Sequence, residues 1–151
     1  MSDGFSHEGD EAIPDRLDAR PVIANLLRAY RFGLSAPGPA VPREVQVLVA
    51  YIHEHLFKEG LCVKTIKRGC ALRDRTASAR FRRHVGQSIT SYLNFHRVEA
   101  AKCLLRYEAL SITEVAMAVG YARPQTLTMA FRRVTGTTPS AYRTQGKKTC
   151  P

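Results

Sequence analysis

Apolar residues recur every three or four positions along most of the chain, which is the spacing of one face of an α-helix. Between residues 21 and 32 this spacing is followed by Val22, Ile23, Leu26, Leu27 and Tyr30. After Pro42 the pattern stays helical, without the strict alternation that is typical of strands. We therefore predict an all-α fold.

The helical pattern after Pro42 divides into several segments. The first is predicted to end near Gly60, and Ser111 with Glu114 three residues later forms a capping box that marks a helix start. The remaining predicted segments are 63–70, 74–85, 89–107, 112–119 and 124–135, with a closing turn or helix over 139–145.

The ends of the chain differ from this body. Residues 1–20 are polar and acidic without periodicity, so we predict that they are disordered. We interpret the Pro/Gly/Ala-rich segment 33–42 as a linker and residues 146–151 as a tail. The short helix over 21–32 is too short to be stable alone and must dock, on the main body or on a partner.

The second half of the body repeats the first. The segment FRRHVG at 81–86 is matched by FRRVTG at 131–136, an offset of 50, and Ile66 pairs with Val115 at an offset of 49. Chance similarity of two amphipathic helices does not readily preserve both features, so we infer two copies of one unit, over about 62–86 and 111–136.

Each copy is predicted to be a helix, a tight turn and a second helix, here called the reading helix, which is the geometry that enters the DNA major groove. In the second copy Ala116 suits a close helix crossing, Gly120 the turn and Pro124 the first helical position. Leu127 and Phe131 are expected in the core, as is Phe81. The outward face offers hydrogen-bonding side chains on Gln125, Thr126 and Thr128.

The predicted helix 89–107 joins the copies. At about 1.5 Å per residue it is roughly 28 Å long, near the ~34 Å that separates successive major grooves on one side of DNA. One monomer could therefore read two adjacent grooves. The alternative is a pure core strut, and both interpretations can hold at once.

Positive charge is concentrated in the body. The net charge is +10, with four bases and six acids in 1–41 against nineteen bases and seven acids in 42–151. A cationic body attracts polyanions, either nucleic acid or an anionic membrane face. The arginines near the reading helices are expected to contact phosphates, although any single one could simply face solvent. They are Arg73, Arg80, Arg82, Arg83, Arg123, Arg132 and Arg133.

Other chemistry finds no support in the residue spacing. The four cysteines form no CxxC pair and are expected to be reduced thiols, some of them in the core, and the histidines show no metal-ligand spacing. We expect no enzymatic activity, no cofactor and no metal. The chain also lacks a secretory signal and a membrane-spanning apolar run, so we expect a cytoplasmic, nucleoid-associated protein.

The stretch LSITEVAMAVGYARPQTLTMAFRRVTGTTPSAYR at 110–143 closely resembles the second helix-turn-helix and signature region of AraC/XylS-type bacterial transcriptional regulators, and the resemblance extends back through SYLNFHRVEAAKCLL to about Pro42. It implies a two-lobed DNA-binding domain over 42–145 that binds double-stranded DNA, usually activates transcription and touches RNA polymerase. Because only 41 residues precede this domain, we expect a small stand-alone member without a ligand-sensing domain or a small-molecule effector, able to act as a monomer on DNA.

The resemblance also suggests roles for single residues. Gln125, Thr126 and Thr128 stand at positions similar to base- and phosphate-contacting residues of the family, whereas Met129 stands where an Arg commonly reaches a base. The corresponding exposed positions of the first copy are Arg75, Ser78 and Ala79, and we expect Arg75 to read a base.

The first copy departs further from the pattern. Lys67 replaces the small Ala116, and Ala71 replaces Gly120 at a cost of about 1 kcal/mol if that turn needs a positive φ. The first lobe is therefore expected to be weakened and to bind DNA mainly through charge. In the alternative function this degenerate regulator acts mainly through protein partners, with weak specific DNA binding.

Overall fold

The structure, a computed structural model, describes residues 19–73 and 75–149, with side chains up to residue 146. Within these residues the chain forms eight α-helices and no strand, which confirms the all-α prediction. The helices are α1 (Ala19–Phe32), α2 (Arg43–His55), α3 (Val63–Gly69), α4 (Ala77–Val85), α5 (Ile89–Leu105), α6 (Ile112–Ala118), α7 (Pro124–Thr135) and α8 (Pro139–Thr149).

Some helix ends differ from the prediction. Helix α2 ends at His55, before the predicted end near Gly60, because the backbone tightens there: the Lys58 amide donates to the His55 carbonyl at 2.9 Å. Helix α5 likewise ends two residues early, where the Tyr107 amide donates to the Leu104 carbonyl at 3.1 Å. Both bonds span three residues, which is the geometry that commonly closes a helix end.

The predictions for the chain termini were also wrong in part. The predicted disordered segment was too long, since residues 19 and 20 already belong to α1, and its remainder, 1–18, lies outside the described residues. The helix predicted to close near 145 continues to Thr149 through most of the expected tail. Cys150 and Pro151 lie outside the described residues.

The repeat and the capping box are confirmed in the backbone. Helices α4 and α7 both end at glycines in the left-handed conformation, Gly86 with φ 88° and Gly136 with φ 80°. At the start of α6, the Ser111 hydroxyl accepts from the Glu114 amide at 3.1 Å, and the Glu114 carboxylate accepts from the Ser111 amide at 2.7 Å.

Two apolar cores lie along the chain, and α5 contributes to both. The first lobe, α2 to α4, packs on the N-terminal half of α5 through Leu93 and surrounds the fully buried Phe81. The second lobe, α6 and α7, packs on the C-terminal half of α5 through Val98 and surrounds Phe131, also fully buried. Both phenylalanines are therefore core residues, as predicted.

Helix α1 docks on the body. Its apolar side chains pack against the second core, Tyr30 Oη and His96 Nδ1 form a hydrogen bond at 2.8 Å, and Arg31 Nε donates to the His53 carbonyl at 2.9 Å. Of the two docking partners that the sequence left open, the structure shows the main body. Across the described ranges, no helix combines the length and apolar character needed to cross a membrane.

Candidate nucleic-acid interface

Helix α7 presents a polar face opposite the second core. It starts with Pro124 at its first positions, and Leu127 and Phe131 are fully buried. At about 100° per residue, Gln125 and Met129 fall on the opposite side of the helix. Gln125 is exposed, and Met129 exposes 70% of its surface. The centre of the outward face therefore pairs an amide with a thioether.

The two threonines flank this centre. Thr126 is exposed, whereas Thr128 is half-buried, and its hydroxyl donates to the Pro124 carbonyl at 3.0 Å. Because that hydroxyl proton is already used inside the helix, the Thr128 oxygen is left as an acceptor. It therefore suits a base amino group better than a phosphate oxygen, which only accepts.

The first reading helix is shorter than predicted. Helix α4 begins at Ala77, so the prediction that it starts at residue 74 was wrong, and Arg75 lies in the preceding turn. Residue 74 itself lies outside the described residues. In α7 the equivalent first position is Pro124, whose fixed φ is already helical, while the first copy has Asp at this position. Arg75 is exposed ahead of the helix, and Ser78 is half-buried in its first turn.

The turns that precede the reading helices have matching backbones. Gly120 has φ 100° and Ala71 has φ 55°, which makes Ala71 the only described residue other than glycine with a positive φ. The sequence prediction of strain at Ala71 is therefore confirmed, since its Cβ is in a conformation that costs about 1–2 kcal/mol for an L-residue. Lys67 is half-buried in α3, where the second lobe has the fully buried Ala116.

The arginines expected to contact phosphates are all exposed. Arg73 lies in the turn before α4, and Arg123 occupies the N-cap position of α7 without a side-chain capping bond. The others lie on the reading helices: Arg80, Arg82, Arg83, Arg132 and Arg133. Arg80 differs from this set because its Nη1 lies 2.5 Å from Glu44 Oε2 of α2. That carboxylate neutralises part of the charge that Arg80 could offer to a phosphate.

The structure also shows a charged residue that the sequence reasoning missed. Arg97 of α5 is only 4% exposed, and its guanidinium donates to the carbonyls of Leu56 at 2.8 Å and Lys58 at 2.7 Å. The same group lies over the Tyr121 ring, 5.2 Å from its centroid. Its signal in the sequence was a charge four residues after Leu93, on the apolar face of the joining helix.

Burial changes the acid–base properties of this pair. It lowers the pKa of the Arg97 guanidinium, and it raises the pKa of the Tyr121 hydroxyl to about 12. The Tyr121 hydroxyl donates to Asn94 Oδ1 at 2.8 Å. At neutral pH the pair is therefore a cation beside a neutral phenol.

The cysteines and histidines are partly as expected. Cys62 and Cys103 are exposed free thiols and Cys70 is a half-buried one, so none of the three described cysteines is the fully buried core residue that we expected for some of them. Among the histidines, His84 is exposed, whereas His53, His55 and His96 are half-buried. No group of described residues has the composition and closeness of a metal site.

A comparison with protein families decides what this arrangement is. A helix-turn-helix domain family matches residues 68–145, which is more than half of the chain and runs from the end of α3 into α8. The DNA-binding domain of AdpA, solved in complex with a target DNA, is 33% identical with a TM-score of 0.62. The similarity covers 71% of this chain and 96% of that domain. The chain belongs to the AraC-type helix-turn-helix family.

Curated relatives carry regulator names. The HTH-type transcriptional activator RhaS of Salmonella arizonae is 28% identical over 149 residues, covering 93% of this chain and 52% of its own length. An AraC-like transcription regulator of Streptomyces lividans is 40% identical over 68 residues, covering 45% of this chain and 22% of its own length. The chain thus spans about half or less of the length of these relatives. They are regulators, and neither name describes an enzyme.

Within this AraC-type fold, the better preserved of the two units is the second. Its reading helix starts at the proline, its turn has the glycine, and its close crossing has Ala116. The first unit has a strained turn and a reading helix that starts three residues later in the repeat. The two surfaces therefore differ in what they can offer a ligand.

Proposed function

We propose that the chain is a sequence-specific, double-stranded DNA-binding transcriptional regulator that inserts α4 and α7 into adjacent major grooves. The observation that carries the proposal is the pairing of two exposed, arginine-rich reading helices on one continuous scaffold helix. Helix α5 has 17 residues, so at about 1.5 Å per residue it is roughly 25 Å long. That length lies below the ~34 Å between successive grooves, so the proposal requires the two reading helices to lie farther apart than α5 is long.

The proposed roles follow from side-chain chemistry. Arg75 suits guanine, because its guanidinium can donate to both the O6 and N7 acceptors of that base. Gln125 suits adenine, because its amide can accept from the N6 amino group and donate to N7. Thr126, Thr128 and Ser78 add single hydrogen bonds, while Met129 adds an apolar contact. The exposed arginines bind phosphates, which positions the protein without reading sequence.

At the level of the whole protein we propose an activator that acts in the cytoplasm on nucleoid DNA and contacts RNA polymerase. The name of the relative RhaS supports activation. Regulation through double-stranded DNA is supported by the AdpA domain, which was solved on its target DNA.

A second candidate function has an observation in its favour. The first lobe combines a shortened reading helix, the strained Ala71 and a partly neutralised Arg80. In this alternative the protein acts mainly through a protein partner and binds specific DNA weakly. The 60% exposed Met117 on α6 would then offer an apolar contact for that partner.

Selection of bound sequences from random DNA, followed by footprinting of the selected site, tests the first proposal. We expect a protected region of about two helical turns that contains two half-sites. Arg75→Ala and Gln125→Ala should each relax the base preference in one half-site and weaken binding by about 1–3 kcal/mol.

The matched controls are Arg28→Ala and Asn25→Ala, which change exposed residues on α1. They should leave the selected sequence and the footprint unchanged. Enrichment of no sequence at moderate salt, together with retained binding to RNA polymerase, would favour the second candidate.

A further inference from the structure

We propose that Arg97, with Gly120 and Tyr121, forms an inter-lobe junction that fixes the position of one reading helix relative to the other and thereby sets the half-site spacing that the protein accepts. The proposal rests on the proposed function where it concerns DNA. Its structural part concerns the free protein and can be tested alone. In this proposal Arg97 is a positioning residue, since it lies buried in α5 and not on a reading helix.

On the side of the first lobe, Arg97 binds the end of α2. The carbonyls of Leu56 and Lys58 lie just beyond the last helical residue, and they accept from Nε and Nη2 respectively. The Leu56 carbonyl is at the C-cap of α2, where carbonyls carry partial negative charge and lack helical partners, so a buried cation there is favourable. The Lys58 carbonyl belongs to the loop that follows. The planar guanidinium meets both carbonyls at once, which a lysine ammonium cannot do with the same geometry.

On the side of the second lobe, the same guanidinium meets the turn before α7. It lies over the Tyr121 ring, and a Cβ added at Gly120 would lie 2.8 Å from Arg97 Nη2 and 3.0 Å from the Phe57 carbonyl oxygen. The turn of the second lobe therefore abuts the end of α2 so closely that only glycine fits. The Tyr121 hydroxyl also binds Asn94 of α5, which fixes the ring under the cation.

Beside the junction the lobes are separated. A cleft of about 370 Å³ opens there, lined among others by Cys62 and Ile66 of the first lobe and by Ala122 and Thr126 of the second. Helix α5 links the lobes along its axis, and α1 also contacts both lobes, since it packs on the second core and Arg31 donates to the His53 carbonyl of α2. Contacts across the cleft add to these links and oppose rocking of one lobe about α5. The junction supplies such contacts at the base of the turn that leads into α7.

A second arginine shows what the same chemistry does within one lobe. Arg143 of α8 donates to the carbonyls of Leu105, Tyr107 and Leu110, which all belong to the end of α5 and the loop before α6. Arg143 thus binds α8 to the base of the second lobe, and its hydrogen bonds among the described residues stay within that lobe. It is the matched control for Arg97.

The first test measures lobe geometry without DNA. Spin labels are placed on the reading helices by Arg83→Cys and Arg133→Cys in a chain whose native cysteines are changed to Ser, and the distance distribution between the labels is recorded. We expect one narrow distance distribution in the labelled parent chain and a broader one when Arg97→Met or Gly120→Ala is added. With Arg143→Lys the distribution should stay narrow. An unchanged distribution in Arg97→Met would overturn the proposal.

The second test uses DNA in which the two selected half-sites are moved apart or together by one or two base pairs. Each added base pair rotates one half-site by about 35° around the duplex, so a rigid protein should prefer one spacing by roughly tenfold or more. Arg97→Lys should flatten this preference to within about threefold, while binding to each isolated half-site stays within about twofold.

The control distinguishes positioning from general stability. Arg143→Lys should lower Tm yet keep the spacing preference of the parent chain. Equal flattening in both variants would overturn the role of Arg97 as a positioning residue. If the parent chain selects no sequence, the proposed function fails, and the label distances still decide whether the junction holds the lobes.

Discussion

At the residue scale, the two turns show how far residue types predict backbone conformation. Pairing Ala71 with Gly120 in the repeat was enough to predict strain at the alanine, because glycine is the residue that commonly marks a left-handed position. The structure confirms it, with φ 55° at Ala71. The role of Arg97 could not be predicted in the same way, because its partners are backbone carbonyls 41 and 39 residues earlier in the chain.

The strained turn leads to a stability prediction. Ala71→Gly removes the Cβ that opposes the left-handed conformation, and part of the gain is offset by the greater freedom of glycine in the unfolded chain. We expect an increase of about 1 kcal/mol in the free energy of unfolding, and a Tm higher by about 2–4 °C. Denaturant and thermal unfolding measure both quantities.

The control for this change is Ala40→Gly, at an exposed turn residue without a positive φ. It should leave stability unchanged or reduce it slightly. Equal stabilisation by both changes would show that the gain at residue 71 does not come from relief of backbone strain.

At the element scale, α1 illustrates a contact that periodicity predicts only in outline. Its apolar stripe indicated a docked helix, but its polar contacts come from α2 and α5. Tyr30 is hydrogen-bonded to His96 of α5, whose ring centroid lies 4.5 Å from that of Tyr92, and Tyr92 Oη and His53 Nε2 of α2 form a hydrogen bond at 2.6 Å. The Tyr30–His96 hydrogen bond joins residues 66 positions apart and the His53–Tyr92 bond joins residues 39 positions apart, and no local pattern contains either pair.

This cluster should make stability depend on pH. Burial and the charge of Arg31 lower the pKa of His53 below its ordinary 6.5. Burial and the neighbouring His53 lower that of His96, against a smaller opposing effect of Glu99. Because the folded values lie below the unfolded one, the unfolded chain takes up protons first as pH falls through about 6.5, and stability is lost from there downward.

We expect chemical denaturation to show a smaller free energy of unfolding at pH 5.5 than at pH 8. The loss should be reduced in a double variant, His53→Gln with His96→Asn, which keeps a polar atom near each bonded ring nitrogen but does not titrate. A double variant that loses as much stability as the parent chain would show that other groups cause the decline.

The helix boundaries also show which features a local sequence signal can predict. The start of α7 was predicted to the residue, because proline at the first position is an explicit local signal. The start of α4 was predicted three residues too early from the helical pattern alone, and the first copy has no proline at the position that marks the start of α7. The end of α2 was missed because it depends on the backbone turn that supplies carbonyls to a distant arginine.

At the scale of the whole molecule, the all-α fold and the two buried phenylalanines could be predicted from the spacing of apolar residues, and the repeat from the matching segments at 81–86 and 131–136. The relative placement of the lobes depends on the junction and could not be predicted from either copy alone. The sequence predicted the candidate site as a set of residue positions. The arginines of this set are exposed in the structure, as a DNA-contacting role requires. Which of them contact DNA stays a prediction.

Charge distribution predicts a distinct response to salt. Binding to DNA should weaken steeply with ionic strength, because each phosphate contact releases a condensed counterion. Arg132→Gln should reduce the slope of log K against log salt by about 1 for every sequence tested. Arg80→Gln should reduce it by less than about half as much, because Glu44 already neutralises part of its charge.

Titrations from 50 to 300 mM salt on the selected site and on an unrelated duplex measure these slopes. Arg106→Gln, on the exposed loop after α5, is the control and should leave the slope unchanged. If Arg80→Gln reduces the slope as much as Arg132→Gln does, DNA binding displaces the Glu44 carboxylate from Arg80.

The sharing of α5 between the two cores limits how new DNA-binding preferences can arise by mutation. Each lobe takes part of its core from this helix, Leu93 for the first and Val98 for the second. A cut anywhere along it would expose apolar surface that the other fragment had covered, so the lobes cannot be exchanged as independent cassettes. New binding preferences are therefore reached most directly by substitutions on the outward faces of α4 and α7, which the shared helix tolerates without rebuilding either core.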